Sequence, residues 1–224
     1  MSISLDEAVD LTRTGDVWVF RGRSVPDRAI QFTTNSPVNH VGMAVVLDDM
    51  PPLMWHAELG RSLRDMWTGT HQRGVQLHDL RDAVCVWANR YGQRAWLRQL
   101  EPSAGPAMEQ AVLRTVARLD GTPFPSTAQL AWRWARGRVP QLRLQLPGRR
   151  DRDDEPADRA AGDSALETAY CAEVVAVTYE AMGLLPPGRR PNWYDPGRFW
   201  SGDDLDLAGD ARLGAEIEVR IPPR

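Results

Sequence analysis

The chain has no lysine. All 27 of its basic side chains are arginine, set against 30 acidic ones for a formal net charge of −3. Complete replacement of one basic residue by the other reads as a compositional bias, and no mechanism follows from it. The slight acidity argues against a general nucleic-acid binder, because such proteins carry a one-sided excess of basic charge. Long apolar runs are also missing, and no segment approaches the ~20 residues that cross a bilayer. The first residues, Met1-Ser2-Ile3-Ser4-Leu5-Asp6-Glu7, lack the basic stretch and apolar run of a secretory signal, so a cytoplasmic protein is expected. Cysteine is scarce, with only Cys85 and Cys171. In a reducing compartment these read as two free thiols, each needing its own explanation.

What is present suffices for one core. At 224 residues and 42% hydrophobic content, a single domain over residues 1–224 is expected. Residues 5–12 place Leu5, Ala8, Val9 and Thr12 on one helical face, and Gly15-Asp16 turns the chain into a short strand at 17–20. Ser24, Pro26 and Asp27 read as the start of a helix through Phe32. Residues 40–47 are apolar and β-branched, and Asp48-Asp49-Met50-Pro51-Pro52 reads as a hairpin loop before a second strand at 53–58. Residues 74–77 and 83–88 are further strand candidates, which gives a meander of four or five strands. Helical spacing then takes over at 106–119, 126–136 and 168–182, with a last strand at 215–221. Strands first and helices after indicate an α+β fold. Residues 145–164 carry dense charge and almost no large apolar group, and read as an exposed, mobile loop.

Cys171 lies three residues after Thr168. If that threonine caps the helix, the sulfur sits where free backbone N–H groups and the positive end of the dipole favour a thiolate. The alternative is a small buried hydrophobe. Cys85, in Val84-Cys85-Val86-Trp87, reads as a core thiol on a strand with no capping residue nearby. His40 opens an apolar strand, where its ring can reach a neighbouring element. His56 and Glu58 share one face of the next strand, and by direction either can hold the second ring nitrogen of His40. His71, His78 and Asp79 are the candidates for a zinc site. No HxxxH, HxH or CxxC pair exists and neither cysteine is near a histidine, so no metal and no cofactor is expected. Residues 132–138, Trp-Arg-Trp-Ala-Arg-Gly-Arg, could lie on lipid or acidic polymer, or form a solvated face whose stems cover apolar surface.

Taken in order, these motifs resemble a family. Gly15-Asp16-Val17-Trp18, Ser36-Pro37-Val38-Asn39-His40-Val41-Gly42, Trp55-His56-Ala57, Arg73-Gly74-Val75, Asp120-Gly121-Thr122-Pro123-Phe124 and Tyr170-Cys171-Ala172-Glu173 are similar to the signature segments of the NlpC-type papain-like amidase superfamily. The cysteine segment follows the Gly-Asp strand by some 150 residues, as in the circularly permuted branch with YiiX- and YaeF-like proteins and lecithin:retinol acyltransferase relatives. The resemblance implies a permuted papain-like fold, with an antiparallel sheet packed against helices and the nucleophile helix near the C-terminus. It implies Cys171 as nucleophile and His40 as base, with His56 at the third position and Glu58, two residues on, in reserve. Ala172 replaces the usual serine after the nucleophile. The loop at 145–164, directly before the active helix, would serve as a lid.

The implied chemistry is acyl transfer. His40 takes the proton of Cys171, the thiolate attacks an amide carbonyl, and water releases the acyl group. The substrate would be a small peptide or a cell-wall-derived peptide. A lipid-directed acyl hydrolase or transferase, suggested by nine tryptophans, and a catalytically idle binding module are the alternatives.

Overall fold

The computed structural model describes residues 2–22, 37–58, 62–123, 171–187, 193–203 and 205–223. The expected helices at 24–32 and 126–136, the charged loop at 145–164, residues 132–138, the cap at Thr168 and the aromatic Phe124 lie outside them.

A three-residue strand, β1 (Ser2–Ser4), leads into α1 (Leu5–Leu11). Ser4 caps that helix with its hydroxyl on the Glu7 N–H, and the Glu7 carboxylate returns to the Ser4 N–H. Four strands follow, β2 (Val17–Arg21), β3 (His40–Val45), β4 (Leu53–Glu58) and β5 (Gly74–Asp79). Next come α2 (Leu80–Tyr91), β6 (Arg94–Arg98), β7 (Leu100–Glu101) and α3 (Pro106–Leu119). The last part holds α4 (Cys171–Ala181), two short 3-10 turns, β8 (Arg212–Leu213) and β9 (Ile217–Arg220).

Among the described residues the main sheet has seven strands in the order β1-β9-β6-β2-β3-β4-β5. Only the β1–β9 pair is parallel. The fold is therefore α+β, with a mostly antiparallel sheet packed against helices. β6, flanked by arginines, was not anticipated from sequence, yet it lies between β9 and β2. The expected strand at 83–88 is helix instead. Asp79 caps α2 by accepting the Asp82 N–H, Gly92 closes it at φ 65°, and Leu80, Ala83, Val84 and Trp87 are buried at helical spacing. Cys85 is thus a buried helical thiol, not a strand thiol.

Strand alternation divides the core in two. On one face Val41, Met43, Trp55, Ala57, Val75 and Leu77 meet α3 and α4. On the other Trp18, Phe20, Ala44 and Met54 meet α1 and α2. Helix α4 is buried on every side from Cys171 to Tyr179, and full burial of a valine contributes about 1.5–3 kcal/mol. Two polar contacts set its position. The Trp55 indole donates to Thr178 Oγ1 at 3.0 Å, and the Tyr179 hydroxyl donates to the Gly15 carbonyl at 2.5 Å. The Gly15-Asp16 motif is therefore architectural. Asp16, wholly buried, accepts the Arg13 and Leu100 N–H groups and ties β2 to the strand that follows β6.

Candidate functional site

The site begins with an interruption in the sheet. β2 pairs with β3 as far as His40, and β4 pairs with β5 as far as Glu58. Between β3 and β4, however, pairing covers only Met43–Trp55, Ala44–Met54 and Val45–Leu53. Beyond Met43 the pairing stops, an interruption called the notch below, with His40 and Gly42 on β3 and His56 and Glu58 on β4. The Ala44 N–H bonds Asp16 O on the β2 side at 2.8 Å. Since successive amides of a strand point to opposite sides, the Val41 N–H is directed away from β2, into the notch. Of the backbone amides that favour the Cys171 thiolate, the Val41 N–H acts most, followed by those of Ala172 and of Cys171 itself.

These amides act against burial, and burial wins. The Cys171 thiol, 5% exposed, is pushed up to about 11. Burial therefore leaves no resting thiolate at Cys171, because desolvation of the charged form outweighs the amides.

On the opposite face runs a row of polar side chains. His40 Nε2 lies 3.2 Å from His56 Nδ1, His56 Nε2 lies 2.9 Å from His78 Nδ1, and His78 Nε2 lies 3.0 Å from Gln76 Oε1. The cross-strand register of His56 with Gln76 and Met54 with His78 places these groups side by side. Trp87 of α2 covers them, edge-on to the rings of His40 and His56 at 4.8 and 4.7 Å. Gly42 makes room for this approach. A Cβ there would stand 2.4 Å from Met54 Sδ and 3.4 Å from His56 Cβ. Burial, and then the neighbouring His78, holds His40 down to about 3. Burial also takes His78 down to about 4, against the pull of Asp65, and His56 is held well below the usual histidine range for the same cause. All three imidazoles are neutral near pH 7.

The structure thus brings His56 to His40 but places Glu58 elsewhere. The Glu58 carboxyl, raised by burial against hydrogen bonds from Trp87 and Ser62, has its Oε2 3.8 Å from His78 Nδ1. Cys171 and His40 are adjacent to the same notch from its two faces. Among the described residues no hydrogen bond joins them, and the nearest backbone link is Val41, the residue after His40. Two residues of the row, Gln76 and His78, were missed as partners of His40 by sequence reasoning. The signal for them is the paired strand, since residues on β5 with the parity of His56 must share its face.

A metal-capable group was also missed. His56, Glu58 and His78 each offer a ligand atom within 4.8 Å of the others, and Glu58 Oε2 is buried without a hydrogen-bond partner among the described residues. Spacing rules overlook it because its ligands come from two strands. The imidazole nitrogens at 2.9 Å are closer than two ligands on tetrahedral zinc, about 3.3 Å apart for bonds of about 2.0–2.1 Å. That separation is the distance of a shared proton. His71 and Asp79 are not in the group.

Among the described residues no helix is long and apolar enough to cross a membrane. No family model and no curated protein matches the chain. Among solved structures, the chain is similar to the crystal structure of metalloprotein yiiX from Escherichia coli O157:H7, at 17% identity and a TM-score of 0.49, over 92% of this chain and 88% of that one. The likeness is one of overall arrangement and says nothing about chemistry.

Proposed function

We propose that the chain is a thiol-dependent acyl hydrolase acting on an amide, with Cys171 as nucleophile, His40 as base and His56 holding His40. The observation that carries this reading is the notch, where the Val41 amide favours the Cys171 thiolate while the preceding residue, His40, has its Nε2 3.2 Å from His56 Nδ1. With Nε2 so engaged, Nδ1 is the His40 nitrogen left to take the thiol proton.

A thiol at about 11 and an imidazole at about 3 do not form a resting ion pair. The proton leaves sulfur for His40 as the sulfur attacks the carbonyl carbon, so that charge develops only in the transition state. The S–C bond forms, the carbonyl electrons move to oxygen, and the Cys171 and Ala172 N–H groups at the helix start supply donors for that oxyanion. Collapse expels the amine, which takes the proton from His40. Water then hydrolyses the thioester with His40 again as base. The substrate is a small peptide or a cell-wall-derived peptide.

A second reading, a non-catalytic binding module, is favoured by one observation, namely that His40 and Cys171 sit on opposite faces of β3 without a hydrogen bond between them. The lipid-directed reading draws on residues 132–138, outside the described residues. A peptidyl vinyl sulfone separates the two principal readings. The hydrolase gains one adduct on Cys171 by mass spectrometry, lost in Cys171→Ala and slowed ~100-fold in His40→Ala. Equal labelling of wild type and His40→Ala would leave the binding module standing.

A further inference from the structure

The role of the row extends past His56. Each neutral imidazole carries one proton and one lone pair, so every nitrogen-to-nitrogen contact in a chain of imidazoles constrains the next. The direction of the chain is therefore decided at its end, by a group whose donor or acceptor character is not negotiable.

That end is Gln76, fully buried on β5. Its Nε2 lies 3.4 Å from the carbonyl oxygen of Gly74. A carbonyl can only accept, so the amide nitrogen belongs on that side. The flipped amide would set two oxygens against each other in a buried site. Gln76 Oε1 is then the atom 3.0 Å from His78 Nε2, and it too can only accept. Gly74 itself is held. At φ +110° it has a conformation that favours glycine, a Cβ there would stand 1.9 Å from Thr122 O, and the adjacent Val75 N–H bonds that same oxygen at 2.8 Å. The Gly121-Thr122 turn thereby closes the free edge of β5 and steadies the carbonyl on which the chain ends.

We infer that Gln76 and His78 are positioning residues that set the tautomer of His40, so that its Nδ1 carries the lone pair a base needs. This rests on the reading of His40 as the base. From Gln76 Oε1 outward, His78 donates through Nε2 and accepts at Nδ1. His56 must then donate through Nε2 across the 2.9 Å contact and accept at its own Nδ1. His40 donates through Nε2 across 3.2 Å, and its Nδ1 is unprotonated. Reversing any one link reverses all of them and ends with an amide oxygen facing a lone pair. When His40 receives the thiol proton at Nδ1, every donor in the chain keeps its direction, so the imidazolium forms without rearrangement. Glu58 does not break the order, since at 3.8 Å from His78 Nδ1 it is outside hydrogen-bond distance.

The test is long-range ¹H–¹⁵N correlation on the full-length protein labelled at histidine. The whole chain has four histidines, so single replacements assign each signal. The expected result is an Nε2–H tautomer at His40, His56 and His78 together. An Nδ1–H tautomer at His40 in the folded protein would overturn the inference. One variant extends the test. Gln76→Met removes the acceptor and should lower kcat ~10-fold or more at little-changed KM, with His40 populating both tautomers. Equal turnover and unchanged spectra in Gln76→Met would also overturn it. The two claims fail separately. A protein with His40 protonated at Nε2 but no Cys171-dependent turnover would refute the hydrolase and keep the chain of donors. Cys171-dependent turnover with His40 protonated at Nδ1 would do the reverse.

Discussion

The two faces of β3, β4 and β5 are built from the same strands and behave oppositely. On one face Val41, Ala57, Val75 and Leu77 are sealed under α4, which carries the Cys171 sulfur. On the other, His40, His56, Gln76 and His78 form a polar row under Trp87. Neither face is a site alone. The apolar side raises its thiol to about 11 and the polar side holds its imidazole at about 3. In the proposed reading they act on each other where the pairing of β3 and β4 stops and the Val41 amide favours the thiolate. A one-residue shift in the register of β3 would exchange His40 and Val41 between the faces.

The largest effects should come from removing either side of the notch. Cys171→Ala is expected to abolish turnover and His40→Ala to reduce it ~10³-fold or more, with circular dichroism unchanged. Within the polar row, His56→Ala should cost ~10²-fold in kcat and Glu58→Ala much less, because only His56 lies beside His40. A larger loss in folded Glu58→Ala, measured in the same assay, would move the third role to Glu58.

A smaller effect is expected at Gly42, whose lack of a side chain makes room for Met54 and His56. Gly42→Ala places a methyl against Met54 and His56, and should lower kcat several-fold through a loosened His40–His56 contact, with a fall of about 1–3 kcal/mol in urea-measured stability from overpacking. Stability should also report the polar face through pH. The His40 imidazole falls from an ordinary value of 6.5 to about 3 on folding. Between those values the unfolded chain binds the extra proton, so stability is full above pH 6.5 and declines as pH falls toward 3. His56 and His78 are displaced in the same direction, and Asp65, Glu58 and His71 face them. The urea midpoint should therefore drop between pH 6.5 and 4, and less steeply in His40→Phe.

The sequence makes the notch partly legible. His40, His56 and Cys171 stand in motifs whose order suggested their pairing, and β4 emerges with its bounds, β3 with its start but two residues too long, from apolar and β-branched runs. The neutral state of Cys171 does not, because a helix-start argument counts amides and dipole but not the burial that only packing of α4 creates. Gln76 and His78 escape for a different reason, since their relation to His56 is a register between β4 and β5 and no local pattern encodes it. Residues 83–88 mislead because a six-residue apolar run satisfies strand and helix alike, and the deciding cap, Asp79, lies outside the run.

The central claim, that the two faces meet chemically through the notch, is tested most directly by the pH dependence of iodoacetamide alkylation at Cys171, followed by peptide mass spectrometry in wild type and His40→Ala. A buried thiol at about 11 acting alone reacts through its thiolate, so its rate climbs about tenfold per pH unit below that value. If His40 accepts the proton as the S–C bond forms and iodide leaves, the wild-type rate is nearly flat from pH 5 to 9, and the tenfold-per-unit climb appears only in His40→Ala. Coincident, steadily climbing profiles in the two proteins would show that the thiol and the imidazole do not communicate, and the account would fall.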